Sequence, residues 1–200
     1  MIKAIIFDCG EVLIQGMHGV QTAIAQLVGI TEQEVWDQIN REPKNQMFCG
    51  LITEREYWEA VIEDNQWLAT SDQLIQIMRD NFTEVPGTRQ IIERLCKVGY
   101  KLGLLSVHTR EWVEHCEAEH QYHHLFDVIQ YSYEVGMRKP NPLVFLKILE
   151  DLGVGPGEAV FIDDHPKNIQ AARDLGIQAI LFTSAEQLTV EFKALLPNYG

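Results

Sequence analysis

The sequence predicts an α/β protein: a three-layer, Rossmann-like parallel-sheet core with a small helical cap inserted near its beginning. Five short apolar runs are nearly continuous and rich in β-branched or aromatic residues, as strands buried on both faces are. From Gly87 onward, helix-period segments alternate with these runs, the order that builds βαβ units. Between Leu13 and Val85 the alternation fails, and only helical patterning is present.

The first run, Ala4-Ile5-Ile6-Phe7, ends on Asp8. In the interruption, Thr31-Glu32-Gln33-Glu34 and Thr53-Glu54-Arg55-Glu56 have the spacing of capping boxes that open amphipathic helices. Glu84-Val85-Pro86-Gly87 reads as the re-entry, so residues 1–14 and 86–200 form the core and residues 15–85 the cap. Helices are then expected over Thr88–Val98, Arg110–Glu119, Pro142–Leu152, Pro166–Leu175 and Ala185–Leu196. The strands between them are Lys101–Leu105, Val128–Tyr131, Ala159–Ile162 and Ala179–Phe182. Gly99, Gly153 and Gly176 stand where helices end, and Pro142 and Pro166 where a first turn accepts proline.

Composition narrows the function classes. With 16 basic and 29 acidic residues, the formal net charge of −13 and the scatter of Lys and Arg exclude a nucleic-acid or anionic-membrane partner. A small phosphorylated ligand remains compatible, because donors and a metal can reverse the field inside a cleft. Cys9, Cys49, Cys96 and Cys116 form no C-x-x-C pair and read as reduced thiols. With no leader-like or membrane-length apolar stretch, a soluble cytoplasmic protein is expected, monomer and homodimer both being open.

In open α/β sheets ligands collect at the carboxyl ends of strands. Four segments stand there: Asp8-Cys9-Gly10-Glu11-Val12, Ser106-Val107-His108, Gly136-Met137-Arg138-Lys139-Pro140 and Asp163-Asp164-His165-Pro166. One Asp at a strand end is commonly a helix cap; three carboxylates, a hydroxyl and a lysine converging from four segments are not so explained. In these motifs, and in the helical insert after the first strand, the whole chain resembles the haloacid dehalogenase superfamily, in particular its phosphatases with a small helical cap.

The resemblance implies a Mg²⁺-dependent phosphomonoesterase acting on a small phosphorylated metabolite such as a sugar phosphate. Asp8 would be the nucleophile, forming an aspartyl-phosphate that water hydrolyses. Asp8, the Gly10 carbonyl and Asp164 would hold Mg²⁺, with Asp163 their near neighbour. Lys139 and Ser106, with the backbone N–H groups of Cys9, Gly10 and Val107, would hold the phosphoryl group. Asn168 would orient Lys139 or a metal-bound water. One position departs from the pattern: where active phosphatases of this family carry an acid/base Asp, this chain has Gly10, followed by Glu11 on the opposite side of an extended segment. Two alternatives therefore stay open, a hydrolytic 2-haloacid dehalogenase and a non-catalytic phosphate-binding regulatory relative.

Other signals are read as structural. Cys49 and Arg55 have C-x5-R spacing, but Thr53 between them is better used as a helix cap. His115, His120, His123 and His124 read as a solvated helix end, and Trp36, Trp58 and Trp67 as packing within the insert. His108 is the better of two candidate histidines, the other being His165, for a substrate contact.

Overall fold

The computed structural model describes residues 1–199. The strands are β1 (Ala4–Phe7), β2 (Lys101–Ser106), β3 (Val128–Tyr131), β4 (Ala159–Asp163) and β5 (Gln178–Leu181). They form a 5-stranded sheet in the order β3-β2-β1-β4-β5, with every neighbouring pair parallel. The chain therefore starts at the centre, winds outward on one side through β2 and β3, and crosses to β4 on the other. Such a reversal opens a crevice at the carboxyl ends of the central strands.

After β1 come α1 (Val20–Val28), α2 (Glu32–Ile39), α3 (Lys44–Phe48), α4 (Glu54–Asn65) and α5 (Ser71–Asn81). The remaining α-helices are α6 (Thr88–Val98), α7 (Arg110–His120), α8 (Ser132–Val135), α9 (Pro142–Leu152), α10 (Pro166–Asp174) and α11 (Ala185–Leu195). Among the described residues, no helix is long and apolar enough to cross a membrane. The capping boxes at Thr31 and Thr53 are both formed, and Thr70 with Gln73 makes another that the sequence reading lacks. Each such cap stabilises its helix by about 1 kcal/mol. The last strand begins one residue earlier than expected, and the short α8 falls in a stretch read as loop.

Side-chain alternation along the central strand divides the core into two faces. Ala4 and Ile6 of β1 pack with Val144, Phe145, Ile148 and Leu152 of α9 and with Ile169 of α10. Ile5 and Phe7 face α6 and α11, and this second cluster continues without a break into Val35, Ile39, Tyr57, Trp58 and Leu74 of the inserted helices. Phe7 lies edge-on to Phe126 and Phe192, and Phe161 of β4 edge-on to Phe145. Edge-on pairs of this kind add about 0.5–1.5 kcal/mol each beyond the area they bury.

Glu54 fastens the inserted helices to the core. It opens α4 yet is only 1% exposed. Its carboxylate pairs with Arg79 of α5 and accepts 2.6 Å from the Trp112 Nε1 of α7. Removing one partner leaves a largely buried guanidinium uncompensated, so Glu54→Ala is expected to destabilise the protein by about 3–5 kcal/mol. Urea unfolding checks this as a lower midpoint at unchanged slope. A loss below about 1 kcal/mol would mean that the pair behaves like an exposed one.

Candidate active site

The carboxyl ends of β1, β2 and β4 and the loop before α9 meet at the crevice. Asp8 follows β1 and is anchored by its backbone N–H, which donates 2.9 Å to the Ile162 carbonyl of β4. Its Oδ1 accepts from the Cys9 N–H at 2.7 Å and from Lys139 Nζ at 2.8 Å. The same ammonium reaches Asp163 Oδ2 at 2.7 Å and lies over the Phe161 ring. Asp163 is fully buried and saturated: it also accepts from the His165 N–H at 2.8 Å and from Asn168 Nδ2 at 2.9 and 3.0 Å. Asn168 thus meets Lys139 through Asp163, which holds the lysine on Asp8.

Three carboxylates converge here, and this one ammonium pairs with two of them. Carboxylate oxygens of Asp8, Asp163 and Asp164 lie within 4.8 Å of one another. Burial, opposed by Lys139 and reinforced by Asp163 and Asp164, raises Asp8 to about 8. Burial and then Asp163 raise Asp164 as well. Burial works against the Lys139 ammonium, but Asp163 and Asp8 more than offset this and raise its pKa. The site is short of positive charge. An all-oxygen donor set of this kind suits a hard divalent cation. With Asp163 saturated, Asp8 Oδ2, Asp164 and the Gly10 carbonyl are the oxygens left for it, the last having no backbone donor among the described residues.

Ser106 ends β2 and is 2% exposed. Its Oγ lies 3.1 Å from His108 Nδ1, which is also 2.8 Å from the Val107 carbonyl. A carbonyl only accepts, so the network assigns the proton to Nδ1 and leaves the Ser106 hydroxyl proton free to donate elsewhere. His108 Nε2 is then a buried acceptor without a partner. Burial, partly offset by the bond to Val107, lowers His108 to about 4, so the ring is neutral at neutral pH. The N–H groups of Gly10 and Val107 have no backbone acceptor among the described residues, whereas that of Cys9 is held by Asp8.

Glu11 has a different task. It sits at φ 59°, and its Oε1 accepts from the Gly16 and His18 N–H groups, both at 3.0 Å, closing the loop that leads into α1. The side-chain direction of Gly10 is turned toward His108: a Cβ there would lie 3.6 Å from His108 Cε1.

A cavity of about 530 Å³ opens above Asp8, walled by Trp36, Lys44 and Phe48 from the insert and by His108, Trp112 and Arg138 from the core. A larger one, about 720 Å³, lies at the opposite end of the sheet around Ile2, Tyr100 and Gln178, with no carboxylate among its described residues. Of the converging carboxylates, Asp8 and Asp164 line the first. The remaining candidates sit elsewhere. Arg55 bonds Ser71 and Asp72 and not a ligand loop at Cys49. His120 and His123 contact the Phe82 carbonyl and the Tyr131 hydroxyl. Trp58 and Trp67 are buried, and Trp36 alone of the insert's three tryptophans reaches the cavity.

The fold has counterparts in known proteins. The chain belongs to the haloacid dehalogenase-like hydrolases, whose family model matches residues 5–182. Flavin mononucleotide hydrolase 1 of Arabidopsis thaliana is 25% identical over 146 residues, 73% of this chain and 59% of that protein. Putative phosphatase YhcW of Bacillus subtilis is 24% identical over 204 residues, covering 96% of this chain and 89% of that one. Some curated relatives are much longer, the chain spanning 35% of one of them. A HAD family enzyme from Bacteroides thetaiotaomicron, crystallised with magnesium and inorganic phosphate, matches with a TM-score of 0.78 and 25% identity over 96% of this chain and 100% of that one.

Proposed function

We propose that this hydrolase is a Mg²⁺-dependent phosphomonoesterase of the cytoplasm, acting on a small phosphorylated metabolite through an aspartyl-phosphate on Asp8. The observation that carries the reading is the charge balance at Asp8: three carboxylates converge there, and the one ammonium, Lys139, pairs with two of them, Asp8 and Asp163. Such a set needs a cation before it can accept an anionic phosphate. It suits a halocarboxylate poorly, and this sets the dehalogenase alternative aside. The relatives with phosphatase chemistry and the magnesium- and phosphate-bound neighbour support the same choice.

Asp8, Asp164 and the Gly10 carbonyl would hold Mg²⁺, which would supply the positive charge that lets a carboxylate approach a phosphate. Asp8 attacks phosphorus in line; the ester P–O bond breaks and the leaving oxygen departs with a proton drawn from water. Lys139, the Ser106 hydroxyl and the N–H groups of Gly10 and Val107 hold the phosphoryl oxygens as charge shifts onto them. Cys9 orients Asp8 through its N–H. Water then cleaves the aspartyl-phosphate at phosphorus, releasing phosphate and restoring the carboxylate. Residues 15–85 act as the cap, with Trp36, Lys44 and Phe48 facing the leaving group.

Release of inorganic phosphate from p-nitrophenyl phosphate and a panel of sugar phosphates tests the reading. Turnover is expected with Mg²⁺ and is expected to vanish in EDTA. Full activity in EDTA would refute the metal. Mg²⁺-dependent binding of phosphate without turnover would instead favour the regulatory alternative.

A further inference from the structure

The cavity above Asp8 has a second electropositive corner that neither the nucleophile nor the phosphoryl donors use. Lys44 of α3 projects into it, with Nζ held 2.6 Å from Asn40 Oδ1 and poised over the faces of Trp36 and Phe48, at 5.8 and 5.6 Å from the ring centroids. Arg138, from the loop that carries Lys139, lines the same cavity. Among the described residues, neither cation enters an ion pair, although the chain carries a net charge of −13. Burial first, and the positive charge of Arg138 second, lower Lys44 to about 8. Lys44 is half-buried and Arg138 exposed at the edge of the same cavity; two like charges lining one cavity repel each other, and an anion between them relieves that repulsion.

Resting on the phosphatase reading above, we infer that Lys44 and Arg138 form a subsite for a second anionic group on the leaving group, so that the substrate is a short phosphomonoester with a carboxylate at its far end. Two features point to a separate anion and not to the transferred phosphate. Lys44 comes from the insert and not from the strand ends that hold the phosphoryl donors, and Arg138 lines the cavity with it, whereas Lys139 is ion-paired to Asp8 and Asp163 beside the nucleophile. A cavity of about 530 Å³ leaves room for a metabolite of a few carbons and not for a polymer. A charged group that loses its partly buried, charge-assisted partner typically loses roughly tenfold or more in affinity.

The test compares 3-phosphoglycerate with glycerol 3-phosphate, which differ by a carboxylate in place of a hydroxymethyl group, using the full chain with Mg²⁺. The ratio of their kcat/KM values is expected to favour 3-phosphoglycerate by roughly tenfold or more. It should collapse toward one in Lys44→Gln and in Arg138→Gln, and be kept in Lys44→Arg. A wild-type ratio near one would overturn the subsite while leaving the phosphatase reading in place. So would a ratio retained in both glutamine variants, including the case in which both esters lose activity equally because the cations grip the transferred phosphate. If neither ester is hydrolysed, the phosphatase reading still stands or falls on p-nitrophenyl phosphate and the sugar-phosphate panel. The subsite is then decided by the ratio of binding affinities for the same two compounds in calorimetry, with the same variants.

Discussion

Asp8→Asn is expected to abolish phosphate release, lowering turnover by at least about four orders of magnitude, the scale on which loss of a nucleophile acts. The amide matches the carboxylate in shape, so the hydrogen bond from the Cys9 N–H survives; the nucleophile and one metal oxygen do not. The same substitution should make the metal-free protein more stable. Burial and the neighbouring carboxylates raise the Asp8 pKa from 3.8 to about 8 in the folded chain, so between these values the native state binds a proton that the unfolded state releases. Stability then falls as pH rises through this window, and the cost is complete above pH 8. Asparagine has no such cost. In EDTA, the melting temperature of Asp8→Asn should therefore exceed that of the wild type by a margin that grows from pH 4 to pH 8. This is the usual relation between a strained functional site and stability. A variant that melts lower at pH 8 would mean that the Lys139 ion pair outweighs the repulsion among the carboxylates.

Gly10→Asp is expected to act in the opposite direction and accelerate turnover. Among the described residues, the carboxylates beside Asp8 are otherwise engaged: Glu11 is tied to the Gly16 and His18 N–H groups, Asp163 is saturated by Lys139, His165 and Asn168, and Asp164 would hold the metal. The backbone at Gly10 is outside the left-handed region, and a Cβ would meet His108 Cε1 at 3.6 Å, an ordinary contact. A carboxyl at this position therefore fits the cavity wall. General acid–base help is worth about 10²–10⁴-fold, and the gain should approach that range for alkyl phosphates with poor leaving groups. It should be small for p-nitrophenyl phosphate, whose phenolate leaves without a proton. Equal rates for wild type and variant on an alkyl ester would show that protonation of the leaving group does not limit turnover.

The sheet was legible because its strands are buried on both faces. Runs such as Ala159-Val160-Phe161-Ile162 leave little room for another assignment, and the end of β4 puts Asp163 and Asp164 at the crevice. Gly99 and Gly153 take the left-handed conformation that ends α6 and α9, as their places before the next strands suggest. Non-local partners were not legible. Glu54 reads as an exposed first-turn acid, and only Arg79, 25 residues on, and Trp112, 58 residues on, reveal it as buried. Lys44 lies in a polar stretch; Phe48 is four residues on in the same helix, but the position of Lys44 over Trp36 of α2 depends on how the chain turns between α2 and α3. Asp163 reads as a neighbour of the metal site, whereas in three dimensions it is the fully buried carboxylate that ties Lys139, His165 and Asn168 together. The tilt of Glu11 toward Gly16 and His18 depends on a positive φ that a glutamate rarely adopts, and no pattern in the chain announces it.

The covalent intermediate tests the central claim most directly. Protein turning over a phosphomonoester with Mg²⁺ is quenched in acid and digested, and the peptide containing Asp8 is weighed by mass spectrometry. The account predicts that this peptide gains the mass of one phosphoryl group on Asp8 during turnover and that the gain is absent in Asp8→Asn. Steady phosphate release with Asp8 never labelled, or with the label on another residue, would contradict it.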